Sequence, residues 1–445
     1  MEENKNSKEL VKTVGLATAT FTVVGSIIGA GVFFKPQAIY TATGGAPGIA
    51  MLCWLIAGLV TICAGLTVSE LATSIPKTGG MAIYIKEMYG DMFGFLAGWV
   101  QVFLYFPAMI AALAVVFADQ FVALSGMPSM KMPITVLMLI IVFFFHLQGG
   151  KQSAAIGNIS TVSKVLVLFI IIIAGFILGK NNASITQPFI GEGVNPVVAG
   201  GQVLLALFFV FDGWINVCAL AGEMKNPAKD LSKAIVGGIL IVLAIYVIVN
   251  IAYLRVLPAK TLGGSASPGL DVAKAIFGDI GGLIIGAGIM ISVFGCASAF
   301  SFTGSRVLYA IAQDDVLPKS DKLSKLNKNG VPGNSIIVIG IISFIYAMSG
   351  QFNLLSDFAI FSIWIFIVLT FFAVFKNRKL KDPKTFAFRV PAYPLVPILA
   401  ILGGAFVLGV QLITSTLLSL GSIIILLLGV PIYKWGSKKV KNNNI

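Results

Sequence analysis

The reading of this chain turns on GSIIGAGVFFKP, Gly25 to Pro36, which lies inside a long apolar run. A helix buried in hydrocarbon keeps its hydrogen-bond ladder continuous, because lipid offers no substitute partners. Three glycines in seven positions, followed by Lys35 and Pro36, are poor material for such a ladder. On its own the segment also fits a helix-packing face, since Gly25 and Gly29 form a GxxxG. Gly31 falls off that face, however, and Gly29-Ala30-Gly31 has little side chain to shield its main chain, while Ser26 is able to satisfy freed backbone groups. The alternative is a helix that uncoils at membrane depth, where protein or a cavity satisfies its backbone.

A counterpart stands in the second half of the chain, FFVFDGW at Phe208–Trp214. An acid followed by glycine in mid-membrane is expensive and marks a substrate or ion path. Matching interruptions in two halves point to a transporter made of inverted repeats, with its site where the breaks meet. A half-helix starting at Gly29, Ala30 and Gly31 offers bare N–H groups and the positive end of its dipole to a carboxylate. The half-helices ending near Ile27 and near Phe209 to Asp212 offer bare carbonyls to an ammonium. Backbone alone would then clamp both poles of an α-amino acid. Lys35 is expected to snorkel at the outer end.

The surrounding composition agrees. Of 445 residues 57% are hydrophobic and 11% charged, whereas a soluble domain carries about 25% charged residues. The fold class is therefore an all-α polytopic membrane protein, with twelve expected spans at 13–36, 46–75, 92–124, 132–148, 153–179, 196–222, 234–256, 281–308, 335–350, 354–375, 393–413 and 417–434. With the N-terminus inside, the inner segments hold 24 of the 31 lysines and arginines, as the positive-inside rule requires. The net charge of +13 thus reads as cytoplasmic loop charge and not as a nucleic-acid surface. Residues 1–12 are charged and the first apolar run exceeds signal-peptide length, so no cleaved leader is expected. Both termini are expected in the cytoplasm, flanking two five-helix repeats (13–179 and 196–375), a loop with helices 11 and 12 (376–434) and a tail (435–445). The four cysteines fall in expected spans, and a single histidine excludes a histidine metal cluster, so neither disulfide framework, metal nor cofactor is expected.

Lys164 lies eleven residues beyond Ser153, roughly 16 Å deep at 1.5 Å per residue, too far for its stem to reach water easily. It is expected to be buried among polar groups. Side-chain selectivity falls to Phe209, Val210, Phe211, Cys218, Tyr246 and Cys296, where Tyr246 and the two cysteines fit plain packing as well. Asp212 fits either a cap on the following half-helix or a proton site. Glu70, Asp119 and Asp357 lie near span ends and are expected at interfaces or in ion pairs.

These segments resemble the amino acid–polyamine–organocation (APC) superfamily, and within it the L-amino acid transporter family of exchangers. The resemblance is carried by GSIIGAGVFFKP, by FFVFDGWINVCALAGEMKNP (208–227), SELATSIPKTGG (69–80) and RVLYAIAQDDVLP (306–318), and the chain is most similar to bacterial serine/threonine and alanine/serine/cysteine exchangers. It implies a LeuT-like 5+5 inverted repeat with broken helices 1 and 6. The carboxylate would be held at Ala30 and Gly31 with support from Gly29, the amine at the carbonyls of Ile27, Phe209 and Asp212, and the Phe209 ring would gate. It also implies that the Lys164 ammonium replaces a coupling sodium near Gly25. Eukaryotic relatives join a glycoprotein through a cysteine between spans 3 and 4; here Ser125 to Lys131 contains none, so no disulfide-linked heavy chain is expected. The expected function is sodium-independent exchange of small neutral amino acids across the plasma membrane. Against it stand a proton-coupled symporter on the same fold and a transport-inactive sensor. An enzyme is not expected, because no Ser-His or Asp pair sits at catalytic spacing.

Overall fold

The spans expected from the sequence take shape in a computed structural model describing residues 15–75, 80–382 and 386–443. The basic N-terminal stretch, Lys77 and Lys384 lie outside them. Regular structure among the described residues is helical: α1 (Leu16–Ile27), α2 (Gly31–Ala42), α3 (Pro47–Ser74), α4 (Met81–Tyr89), α5 (Asp91–Val100), α6 (Phe106–Ser125), α7 (Lys131–Gln148), α8 (Gly150–Leu178), α9 (Pro196–Val210), α10 (Pro227–Val256), α11 (Ala259–Gly264), α12 (Pro268–Gln313), α13 (Ser320–Leu323), α14 (Gly333–Ala347), α15 (Phe352–Leu380), α16 (Leu395–Thr414) and α17 (Thr416–Asn443). A π-turn at Gln101–Tyr105 joins α5 to α6, and Trp214–Glu223 forms a 3-10 helix. Eight of these helical stretches are long and apolar enough to cross a membrane, and α1 and α2 form one further pair bent by 47°.

Local chemistry sets the helix ends. Asn195 accepts hydrogen bonds from the amides of Val197 and Val198, with Pro196 in the first turn of α9. Gly126, at φ +70°, ends α6 in the left-handed conformation. Small residues let helices approach closely: methyl groups on Gly58 and Gly65 of α3 would strike Leu243 and Ile235 of α10 at 2.6 Å. On α12, Gly295 lies against Ser160 of α8 and Gly288 against Val167. There Ser160 Oγ donates to the Ser292 carbonyl at 3.0 Å and Ser163 Oγ to that of Gly288 at 2.9 Å, fixing the register of the helix that carries Lys164.

The packing has a regular scheme. One group joins α1, α3, α9, α10 and the 3-10 segment; another joins α6, α7, α12 and α14. The helices α8 and α15 bridge them, α8 on α12 and α10, α15 on α6 and α3. The sequence reading treated residues 257–280 as loop, whereas α11 and the first part of α12 are helical and pack on α2; α12 bends at Gly278, φ +70°.

All three acids near span ends are paired. Asp119 meets Lys131 at 2.6 Å and Asp357 meets Lys35 at 2.9 Å. Glu70, fully buried, accepts Arg378 Nε at 2.7 Å and Nη2 at 2.5 Å, plus the Val390 amide at 2.7 Å. Glu70→Ala is expected to lower folding stability by about 3 kcal/mol or more, since it leaves Arg378 and a buried amide without their acceptor. A thermal midpoint in detergent equal to that of the parent would contradict this.

Candidate functional site

The first break begins where α1 stops at Ile27. Ile28 is extended (φ −66°, ψ 103°), and the next helix starts only at Gly31. Carbonyls at the end of α1 therefore lose their helical donors and find others. Lys164 Nζ donates to the Gly25 carbonyl at 2.6 Å, and Tyr246 Oη donates to that of Ile27 at 3.1 Å. On the other side of the gap Ala30 caps α2 without a side-chain hydrogen bond. The first amides of α2 thus have no acceptor in their own helix and carry its positive pole.

The second break follows Val210. Phe211 N–H bonds to the Leu207 carbonyl at 2.8 Å and Asp212 N–H to that of Phe209 at 3.2 Å; Gly213 then turns left-handed at φ +101°. The chain resumes as a 3-10 helix where the sequence had indicated an α-helical half. Tyr246 Oη also lies 3.3 Å from the Val210 carbonyl. A hydroxyl has one proton, so this one is shared between the two breaks, and the Gly29 amide faces the same oxygen.

The breaks touch. A methyl group on Gly213 would sit 2.6 Å from the Ser26 carbonyl oxygen, and one on Gly31 would sit 3.0 Å from Val210 Cα. The glycines consequently divide differently from the sequence reading. Gly31 is glycine because α9 presses on it, whereas Gly25 has open space and a methyl group on Gly29 would make only ordinary contacts, with Cys296 Sγ at 3.6 Å and the Ile27 carbonyl oxygen at 3.7 Å. A GxxxG packing face is absent here.

Of the pocket candidates, Phe209, Val210, Tyr246 and Cys296 gather at the breaks, and Cys296 lies beside Lys164. Phe211 instead packs its ring on Trp54 and Tyr246, at centroid distances of 6.0 and 5.4 Å. Cys218 is carried by the 3-10 segment to the Tyr84 hydroxyl, away from the breaks. Lys35 does not snorkel. It is fully buried, with Nζ 2.7 Å from Ser356 Oγ, 2.9 Å from Asp357 Oδ1 and 3.3 Å from Asn353 Oδ1. It also stands over the rings of Phe209 and Phe352, at 5.1 and 5.2 Å. The polar start of α15 supplies the partners that water would otherwise give.

A cavity of about 960 Å³ leads to the breaks from one end of the molecule. Its exposed rim carries Lys86, Asp91 and Asp314, and its deep end is Tyr105 and Asp212, which are hydrogen-bonded to each other. Asp212 does not cap the next segment: Gly213 holds the cap position, and the Asp212 carboxylate accepts the Tyr105 hydroxyl. Tyr105 escaped the sequence reading. It sits in the π-turn two residues before Pro107, which has no N–H to give the Phe103 carbonyl; Tyr346 Oη donates to that carbonyl instead, at 2.8 Å. Proline in mid-span, in QVFLYFP, was the available signal. Among the described residues no three His, Cys, Asp or Glu side chains are grouped to hold a metal.

Comparison with known proteins gives the same class. The amino acid permease family model matches residues 14–433. The chain is 39% identical to the serine/threonine exchanger SteT of Bacillus subtilis, over 97% of this chain and 98% of that one. It is 28% identical to the mouse b(0,+)-type amino acid transporter 1 over 91% and 84%, and 26% identical to the human large neutral amino acids transporter small subunit 2 over 96% and 81%.

Proposed function

From a chain that belongs to the amino acid permease family of the APC superfamily, we propose a sodium-independent exchanger that moves small neutral L-amino acids across the plasma membrane by alternating access. The observation that carries this reading is the contact between the two breaks, with the Lys164 ammonium on the Gly25 carbonyl. A fixed positive charge there does the electrostatic work of a bound cation, so no sodium is needed to neutralise the carbonyls at the end of α1. Substrate carboxylate binds the amides of Ala30 and Gly31, beside Gly29. Its ammonium binds the second lone pairs of the Ile27 and Phe209 carbonyls and the carbonyl of Asp212, and Phe209 closes over it. Val210, Phe211, Cys218, Tyr246 and Cys296 remain as surrounding positions, of which Cys296 and Tyr246 stand nearest this arrangement. The two carboxylates beside the breaks, Asp212 and Asp357, are held by Tyr105 and Lys35, which favours an uncharged substrate side chain.

A twelve-span LeuT-like architecture is supported by the helix inventory: eight long apolar helices, the bent α1–α2 pair and three shorter apolar helices make twelve. It is supported also by the packing scheme. Spans 2 and 7 (α3, α10), 3 and 8 (α6, α12) and 4 and 9 (α7, α14) pair, and α8 relates to α12 and α10 as α15 relates to α6 and α3. This is the pattern of two five-span repeats, 13–179 and 196–375. The cavity rim and α15's basic end then face the cytoplasm, together with both termini. The Ser125–Lys131 loop has no cysteine for a heavy chain.

The test is counterflow in liposomes loaded with serine, threonine or alanine. Labelled uptake is expected only with internal substrate and at equal rates with sodium or choline outside; sodium-stimulated uptake into empty vesicles would overturn the proposal. The Tyr105–Asp212 contact at the cavity end gives the proton-coupled symporter its footing. Asp212→Asn, which retains a hydrogen-bond acceptor for Tyr105, is expected to exchange with an unchanged pH profile; a profile flattened by the substitution would favour the symporter.

A further inference from the structure

The cavity wall contains a cation that takes no part at the breaks. Arg306 of α12 lines the cavity, half-buried, with its guanidinium carbon 3.1 Å from the centroid of the Phe302 ring. Nη1 donates to the Phe302 carbonyl at 2.9 Å. No carboxylate among the described residues lies within ion-pair distance of it, whereas Lys86 on the same rim is occupied by Asp91 at 3.4 Å and Asp314 at 4.0 Å. The ring fixes the plane of the guanidinium and the carbonyl occupies one nitrogen, leaving the Nε–Nη2 edge. That fork matches a carboxylate in two parallel hydrogen bonds, and partial burial removes some of the water that would weaken them.

Its depth is informative. Phe300 packs on Tyr105 at the closed end, with ring centroids 5.9 Å apart. Arg306 is six residues further along α12, with its guanidinium folded back over Phe302. Ala30 and Gly31 do not line this cavity, and the bonded Tyr105 and Asp212 stand at its inner end, so the two are separate stations. Resting on the exchanger reading above, we infer that Arg306 is a staging subsite: it captures the α-carboxylate of an amino acid entering from the cavity side, before Tyr105 and Asp212 separate and the carboxylate passes to α2. At the opposite end of the molecule Lys35 is already committed to Asp357.

The experiment compares exchange in right-side-out and everted membrane vesicles, using serine as the varied substrate, for the parent, Arg306→Gln and Arg306→Lys. Loss of a charge-assisted carboxylate contact is expected to raise half-saturation at the cavity face about tenfold in Arg306→Gln. Half-saturation at the other face and the maximal rate should stay within about twofold. Arg306→Lys, which keeps the charge but not the fork, is expected to fall between; it decides the matter alone if Arg306→Gln does not reach the membrane. Equal increases at both faces, an unchanged cavity-face value, or a fall confined to the maximal rate would each overturn the staging site while leaving the exchanger intact. A parent protein that exchanges no amino acid overturns both.

Discussion

Lys164→Ala is expected to lower exchange by one to two orders of magnitude while the amount of protein recovered in liposomes falls by less than about twofold. The ammonium contacts a carbonyl that the break has deprived of its helical donor, at 2.6 Å, and Lys164 is buried while Gly25 is half-buried. A hydrogen bond from a charged donor contributes about 1.5–3 kcal/mol, and a buried acceptor left unpaired costs about 1–3 kcal/mol. At 1.4 kcal/mol per factor of ten, this displaces the population of correctly bent α1 by the stated amount. Bulk stability changes little because α8 keeps its other ties to α12, through Ser160 and Ser163. The check is homoexchange normalised to immunoblotted protein. Activity and abundance falling in parallel would reduce Lys164 to a packing residue. A parent-like rate would remove it from the mechanism.

Lys164 was legible in the sequence because its depth on a straight helix is arithmetic. The breaks were legible for a related reason: glycine and aspartate at membrane depth contradict the requirements of a continuous span. Other features depended on partners that no local pattern names. The partners of Lys35 include Asp357, 322 residues away, so its stem was read as reaching for water when it reaches for α15. Tyr105 matters because Asp212 comes to it across 107 positions, and because a π-turn turns it there. Phe211 and Cys218 follow the same break in sequence; the change of helical pitch after Gly213 turns Cys218 toward Tyr84, and Phe211 packs against Trp54 and Tyr246. Apolar length does not mark helices that carry charge or glycine, such as residues 268–277. Likewise no local pattern shows that Gly31 lies under α9 while Gly25 has open space. Spacing says which residues share a face, and only the fold says what that face meets.

Gly213→Ala provides the second large effect, and its argument separates the two roles a glycine can have at such a site. At φ +101° a Cβ is strained by about 1–2 kcal/mol before any contact is considered. This one would also lie 2.6 Å from the Ser26 carbonyl oxygen and 3.0 Å from its carbon, against backbone that cannot rotate aside. The 3-10 segment and α1 must therefore part by several tenths of an ångström, which also shifts Val210 and Ile27 relative to the single Tyr246 proton they share. Exchange is expected to drop at least about 100-fold. Gly200→Ala on α9, where a methyl group meets nothing within 4 Å, should be silent. Gly29→Ala is the informative third arm. Its methyl group finds ordinary contacts at 3.6 and 3.7 Å, so the fold accepts it. If bare amides at the start of α2 hold the substrate carboxylate, that methyl group obstructs the approach and raises half-saturation with the protein otherwise intact. If Gly29→Ala exchanges with parent-like half-saturation while Gly213→Ala is dead, the breaks are needed for shape alone, and recognition by the open backbone at Ala30 and Gly31 is wrong.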